Sequence, residues 1–408
     1  MTNKKSTFLY IALCVVLFLN AQNKVSNVES IFSNTLINFD SSAHPDGLNV
    51  ADSIIYIANG RIVLKKVQLP RFTNSTQLNA KITLVSNGDP WDKVGSCFII
   101  PNESAINMMD IAQDKEKYPW IDSSLYENLS GIVQGYRYKP TVEIMRFMTP
   151  FGVGHYSADD NALSAKRKPV YIDGWAKNVV WEEDITDLLP LFEDEVYVGV
   201  FIDTWTKEGY VIDFELSYTE SEIPVDSKKT SHVEPLINTV YYIGQKYPDI
   251  FARKDVKIPF TLPEGARNVR LKYITSGHGG HSGGDEFRPQ ENILSVDGEV
   301  VYSFTPWRTD CASFRRFNPS TAVWLHKRTV AYIGSEGRDE KEVEEPIASS
   351  DLSRSNWCPG SNVPPVEISL MNIESGEHVL TLSIPDSSEI EGDKLNHWLV
   401  SAYLVWEE

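Results

Sequence analysis

Two short stretches of this chain hold the side chains that chemistry needs. Thr275 to Phe287 reads TSGHGGHSGGDEF, a loop with five glycines that delivers the adjacent carboxylates Asp285 and Glu286 beside an aromatic ring. Ser353 to Gly360 reads SRSNWCPG and brings Arg354, Trp357 and Cys358 into a tight Pro-Gly turn. Glycine permits positive φ and the close approach of a ligand, so a loop this rich in it reads as a place where something is held. Carboxylates beside rings recur twice more. Pro90-Trp91-Asp92-Lys93 closes one apolar run and begins another. In VYVGVFIDTW, Val196, Val198, Val200 and Ile202 share one face of a strand; Tyr197, Phe201, Asp203 and Trp205 share the other. Asp203 therefore lies on an aromatic face near a strand end. Rings that receive the apolar faces of sugars, flanked by charged groups that bond their hydroxyls, are what a carbohydrate cleft requires. A carboxylate can also take a proton from attacking water while a cation steadies the developing oxyanion.

Other chemistries find less support. The chain has no P-loop, dinucleotide glycine fingerprint, paired CxxC or HExxH. His278 and His281, with Asp285 beyond them, lack a third ligand at a recognisable spacing, so no metal is assigned and no cofactor expected. A copper mono-oxygenase would need a His-x-His pair and a Met ligand on facing strands, for which His278-Gly-Gly-His281 is a poor substitute. With 38 basic against 56 acidic residues, a net charge of −18 argues against nucleic acid or an anionic membrane as partner.

The elements that must position these residues read as strands. Short apolar or alternating runs recur between Gly, Pro, Asn and Asp punctuation, which predicts an all-β fold. Strands are expected near 61–67, 81–85, 96–100, 142–147, 195–203 and 211–218 in the first half. In the second half they are expected near 239–243, 256–261, 269–275, 293–296, 300–304, 366–371, 378–383 and 398–405. Asp297-Gly298 between two apolar runs is a hairpin turn signal. The polar stretch TESEIPVDSKKTSH, Thr219 to His232, marks a boundary between two domains. Two insertions stand out: Asn102 to Lys139, and Val330 to Ser350, whose EGRDEKEVEEP reads as a solvated acidic loop.

The first 21 residues read as a signal peptide, with basic Lys4 and Lys5, the apolar run Phe8 to Leu19, and cleavage after Ala21. Leu13 before Cys14 is not a lipobox residue, so no membrane anchor is expected. The protein is then secreted or periplasmic. In that setting Cys311 and Cys358, both in the second half, are the natural pair, and Cys97 in SCFII reads as a buried free thiol.

At this level the motifs resemble the peptide-N-glycosidase F family. PWDK at Pro90 to Lys93, RFMTPFGVG at Arg146 to Gly154, DITDL at Asp184 to Leu188, FIDTW at Phe201 to Trp205, GGDEF and SRSNWCPGSNVPP occur in the family's order. The resemblance runs from about Lys65 to the C-terminus. It implies two eight-stranded antiparallel jelly-roll β-sandwiches packed side by side, at 48–218 and 232–408, with 219–231 as linker and the active site in the cleft between them. It also implies a monomeric exported glycoamidase that needs no metal. Its substrate would be an N-linked glycopeptide or glycoprotein, cleaved at the amide joining glycan to asparagine, and its products a glycosylamine and aspartate.

Carried over by position, Asp92 matches the family's essential aspartate in Trp-Asp-Arg, and Glu286 matches a glutamate that holds an active-site water. Asp203 matches a glutamate followed by Thr-Trp, making a catalytic set of Asp92, Glu286 and Asp203. Lys93, Arg354, Trp205, Trp357, Trp91, His278 and Asp285 would contact substrate, and Cys311 and Cys358 match a family disulfide. Four departures are visible: Lys93 replaces arginine, Asp203 is one methylene shorter than glutamate, Gly284 and Arg288 stand where the family has cysteines, and His278 replaces an aromatic. A glycan-binding protein with weak catalysis is the alternative they motivate.

Overall fold

The structure, a computed structural model, describes residues 26–119, 129–158, 162–224, 230–245 and 249–408. The expected signal peptide and part of the 219–231 linker lie outside these residues. In the first half the strands are Ser26–Ile37 (β1), Asn49–Ala51 (β2), Ile54–Ile57 (β3), Ile62–Val67 (β4) and Asn74–Ser86 (β5). Val94–Ile100 (β6), Val142–Met148 (β7), Val179–Asp184 (β8), Val196–Ile202 (β9) and Tyr210–Pro224 (β10) complete it. The second half begins with Ser231–Asn238 (β11), Val256–Leu262 (β12), Arg267–His278 (β13), Asn292–Val296 (β14) and Glu299–Phe304 (β15). It continues with Val323–Gly334 (β16), Gly337–Ala348 (β17), Asn362–Val363 (β18), Val366–Ser369 (β19), Gly376–Ser383 (β20) and His397–Glu407 (β21).

These strands build two antiparallel sandwiches. The first faces β1-β10-β5-β8 against a sheet ordered β18-β7-β6-β9-β4-β3-β2. Its inner face is apolar because the strands alternate: Val196, Val198, Val200 and Ile202 of β9 meet Leu78, Ile82 and Leu84 of β5 in one core. The second sandwich faces β11-β21-β13-β19 against β12-β20-β14-β15, around Leu271, Leu294, Leu382 and Trp398. Four strands in each sheet give the second domain its expected eight. In the first domain the short β2 and β3 and the inserted β18 extend an eight-strand body.

The two domains share a core at their junction. β21 is buried on both faces: Trp398, Val400, Ala402 and Leu404 point into the second sandwich, whereas Tyr403 and Val405 join the core of the first. Between the sandwiches, Val94, Met148, Ile274, Trp357, Val363 and Leu399 form a small cluster. A buried polar bolt passes beside it. A bulge in β7 against β6 gives β7 one extra residue between Glu143 and Met145, which brings Glu143 and Arg146 to one side. Arg146 Nη2 pairs with Glu143 Oε2 at 2.6 Å, and Nη1 donates to the Leu399 carbonyl at 2.7 Å and to Ser276 Oγ at 3.2 Å. Both side chains are fully buried, and removing one would leave the other uncompensated.

Two expectations are corrected. Val330 to Ser350 is mostly not a loop: β16 and β17 form a ribbon closed at Gly334 and Gly337, with Lys327 within 3.6 Å of Glu342 and Arg328 2.9 Å from Glu345. Its charge masked a period-two pattern in which Val343 and Ile347 take the less exposed face. Residues 239–243 are not a strand. After Asn238 the chain turns, with the Asn238 side chain accepting from Val240 N at 3.0 Å, and lays Val240 and Tyr242 over the aromatic face of β9. The apolar run there serves burial between domains. The insertion 102–139 contributes Leu129, Ile132 and Val133 to the second core and so packs one domain onto the other.

Candidate active site between the two sandwiches

The loop from β5 to β6 presents Trp91, Asp92 and Lys93. Asp89 pins it from within: its Oδ1 accepts from Trp91 N at 3.0 Å, and its Oδ2 accepts from Thr204 Oγ1 at 2.7 Å and Thr206 Oγ1 at 3.2 Å. The Trp91 carbonyl accepts from Tyr210 Oη at 2.5 Å, and the backbone of Lys93 exchanges hydrogen bonds with Thr149. Every anchor is buried or nearly so. Asp92 is thereby fixed on rigid backbone at the edge of the first domain.

The second domain supplies the opposing wall from two loops stitched together. Ser355 N donates to the Glu286 carbonyl at 2.9 Å, and Ser355 Oγ donates to the Asp285 carbonyl at 2.6 Å. A β-bridge joins Arg308 to Arg354, and the Cys311–Cys358 disulfide clamps the same loop. Glycine is required at Gly284, where a Cβ would sit 1.9 Å from the Gly279 carbonyl, and Gly279 itself has φ 136°. The dense glycines thus let the chain fold back on itself and aim Glu286 at the cleft.

Across that cleft the three charged side chains converge. Arg354 is 2% exposed; its Nε donates to Glu286 Oε1 at 2.8 Å, and its Nη2 lies 3.7 Å from Asp92 Oδ2. Phe287 and Trp357 pack against the guanidinium, with ring centroids 5.1 and 4.8 Å from Cζ. Burial pushes the Asp92 carboxyl above its ordinary range, against the pull of Arg354 and Lys93. Glu286 is pushed from 4.5 up to about 7, first by burial and also by the Asp92 charge, while Arg354 and His281 draw it down. Two carboxyls beside one buried cation, both shifted upward, can therefore hold a shared proton toward neutral pH. Such a pair can deliver an ionised base and a neutral donor side by side.

Asp203 heads a neighbouring group. Its Oδ1 accepts from Arg61 Nη1 at 3.2 Å and from Trp205 Nε1 at 3.0 Å, and its Oδ2 accepts from Tyr241 Oη at 3.1 Å. Trp205 stays 54% exposed, with Arg61 Cζ 4.1 Å from one ring centroid. Arg61 and Tyr241 were not anticipated. Arg61 begins a strand with no motif around it, and Tyr241 arrives from the other domain on the segment misread as a strand.

The remaining residues divide. Trp91 is 57% exposed at the rim. Trp357 is buried, donating from Nε1 to the Gly277 carbonyl at 2.9 Å, and supports Arg354. Asp285 is fully buried and accepts from Ser388 N and from Gln290 Nε2, so it fastens the loop. His278 is buried between Trp357 and His397, with Nε2 2.9 Å from Ser276 Oγ, and burial holds it well below its ordinary pKa. His281 lies apart from it, 2.9 Å from Asn396 Oδ1. Among the described residues, no three His, Cys, Asp or Glu side chains converge as metal ligands.

Comparison with known proteins agrees with this architecture. Residues 28–218 match the family domain described as peptide-N-glycosidase F, N terminal, and residues 246–405 match peptide-N-glycosidase F, C terminal. The solved structure of PNGF-II shares 34% identity over 93% of this chain, with a TM-score of 0.75. The chain spans 65% of that protein's length. PNGase F, a glycosylasparaginase from Flavobacterium meningosepticum, shares 14% identity over 94% of this chain and 96% of its own, with a TM-score of 0.58, and so shares the fold. No curated protein matches the sequence.

Proposed function

The chain belongs to the peptide-N-glycosidase F family, and from that premise we propose that it is an exported glycoamidase acting on N-linked glycopeptides or glycoproteins. The observation that carries this reading is the convergence of Asp92 and Glu286, one from each domain, on the buried Arg354. An amide carbonyl is a poor electrophile, and water is a poor nucleophile. Asp92, ionised beside Arg354, takes a proton from water as its oxygen bonds to the asparagine side-chain carbon. Arg354 or Lys93 stabilises the carbonyl oxygen as it gains charge, and Glu286 positions the water or the linkage sugar. The carbon–nitrogen bond then breaks, the nitrogen takes up the proton, and aspartate remains on the peptide. The released glycosylamine loses ammonia in water.

Asp203 is held by Arg61, Trp205 and Tyr241, which fits a residue that positions the Trp205 ring for sugar contact. The same engagement favours a second reading, a glycan-binding protein that catalyses weakly. One experiment separates them. The protein is incubated with a defined N-glycopeptide in heavy-oxygen water, with EDTA, and the peptide is read by mass spectrometry. The amidase reading requires glycan release with asparagine converted to aspartate carrying one heavy oxygen. An intact glycopeptide that still binds would transfer the assignment to the second reading.

A further inference from the structure

The three partners of Asp203, namely Arg61, Trp205 and Tyr241, also line a pocket of about 650 Å³ walled by both domains, within the size range of small-ligand sites. We propose that this pocket is a subsite for a hexose branch of the glycan, beyond the linkage disaccharide, a proposal that rests on the glycoamidase reading above. Its one large exposed ring is Trp205, already immobilised by Arg61 on its face and by Asp203 at Nε1. Phe39 also packs on this indole, with ring centroids 5.1 Å apart, and a preset ring loses little entropy when a sugar packs against the part left exposed.

The polar lining has the matching chemistry. Asp46 and Asn59 come from the first domain, joined by an Asn59 Nδ2 to Asp46 Oδ1 hydrogen bond of 3.1 Å. Arg253 comes from the second, 2.9 Å from Asp249. These are planar groups with paired donors or acceptors, the geometry that vicinal hydroxyls satisfy. Two arginines face two aspartates, so the pocket suits a neutral polyol better than an anionic sugar.

Position gives the site its direction. Asp203 N donates to the Val94 carbonyl at 2.9 Å, which sets the pocket wall one strand over from Asp92 and Lys93. The charge of Lys93 reaches both carboxylates. A linkage sugar held at Asp92 can thus extend its outer residues along Trp205 into the pocket.

The test is calorimetric titration with free N,N′-diacetylchitobiose and with the same disaccharide bearing a branched mannosyl extension, which reads binding without hydrolysis. The extended glycan is expected to bind about tenfold more tightly, the equivalent of one good polar contact. Arg253→Ala should bring that ratio close to one. Asp46→Ala, on an exposed loop of the opposite wall, should narrow it as well, which guards against a folding defect at the Arg253–Asp249 pair. Equal affinities in the unmodified protein would overturn the subsite, as would a preference that survives both substitutions. Failure of the amidase reading would instead appear in the glycopeptide assay, leaving this ratio intact.

Discussion

Arg354 reaches Asp92 across the domain boundary at 3.7 Å, a separation suited to charge attraction and too long for a hydrogen bond. The same guanidinium is bonded to Glu286 at 2.8 Å. Asp92 is therefore held in a field without being tied down. A base must be able to accept a new proton, and a carboxylate already locked in a fork would resist it. The two domains meet through a rigid polar bolt and a shared apolar cluster directly beneath this group, so the gap is set by packing.

Asp92→Asn should abolish turnover, by about 10²–10⁴-fold or more, as expected for loss of a general base. The fold should survive, because burial already disfavours the ionised carboxyl and Asn keeps the shape. Release of glycan measured by mass spectrometry, beside thermal melting of the same preparation, checks both halves. A variant retaining most of its activity would falsify the assignment.

The raised pKa of Glu286 carries a stability consequence. Between 4.5 and about 7 the folded state binds a proton on Glu286 that the unfolded chain releases, so stability falls as pH rises through that interval. The contribution is fully present below the unfolded value and gone above about 7. Glu286→Gln is uncharged throughout. Its melting temperature should gain on the unmodified protein as pH rises across the window, opening a gap of about a few degrees. Parallel melting curves at each pH would show that Glu286 does not hold that proton.

Much of this site was legible in the sequence because it sits on punctuated loops. Glycines, a Pro-Gly turn and tryptophans beside carboxylates flagged Trp91, Asp92, Glu286 and Arg354. Period-two alternation recovered the β9 faces and most strands. Charge hid the β16–β17 ribbon, and elsewhere local pattern does not say what covers a residue. Val240 to Ile243 is an apolar run that reads as a strand, yet the chain turns there and covers the aromatic face of β9. Arg61 looks like any arginine at a strand start, and only the fold brings it to Asp203. Asp285 and Glu286 are adjacent and alike in type, but one fastens the loop and the other faces Arg354.

Asp203→Asn should separate positioning from chemistry. Losing the charge weakens the grip on Arg61 and the Trp205 indole, leaving the ring free to reorient. The expected signature is a KM raised about tenfold with kcat changed far less, the pattern of lost uniform binding. An equal fall in kcat and kcat/KM would place Asp203 in the reacting set.

Reducing the Cys311–Cys358 disulfide should impair activity before it unfolds the protein. The bond closes a loop of 47 residues in sequence separation, worth about 4 kcal/mol on the loop-entropy account. Cys358 lies four residues beyond Arg354, and Arg308, bridged to Arg354, lies three before Cys311. Cutting the bond frees the segment that aims the guanidinium, while β13 and β21 keep the second core intact. Activity and melting, followed in parallel through a reductant titration, should therefore part company: the rate drops while most of the cooperative transition remains. Coincident loss of both would mean that the bond holds the second domain together as a whole and has no separate hold on Arg354.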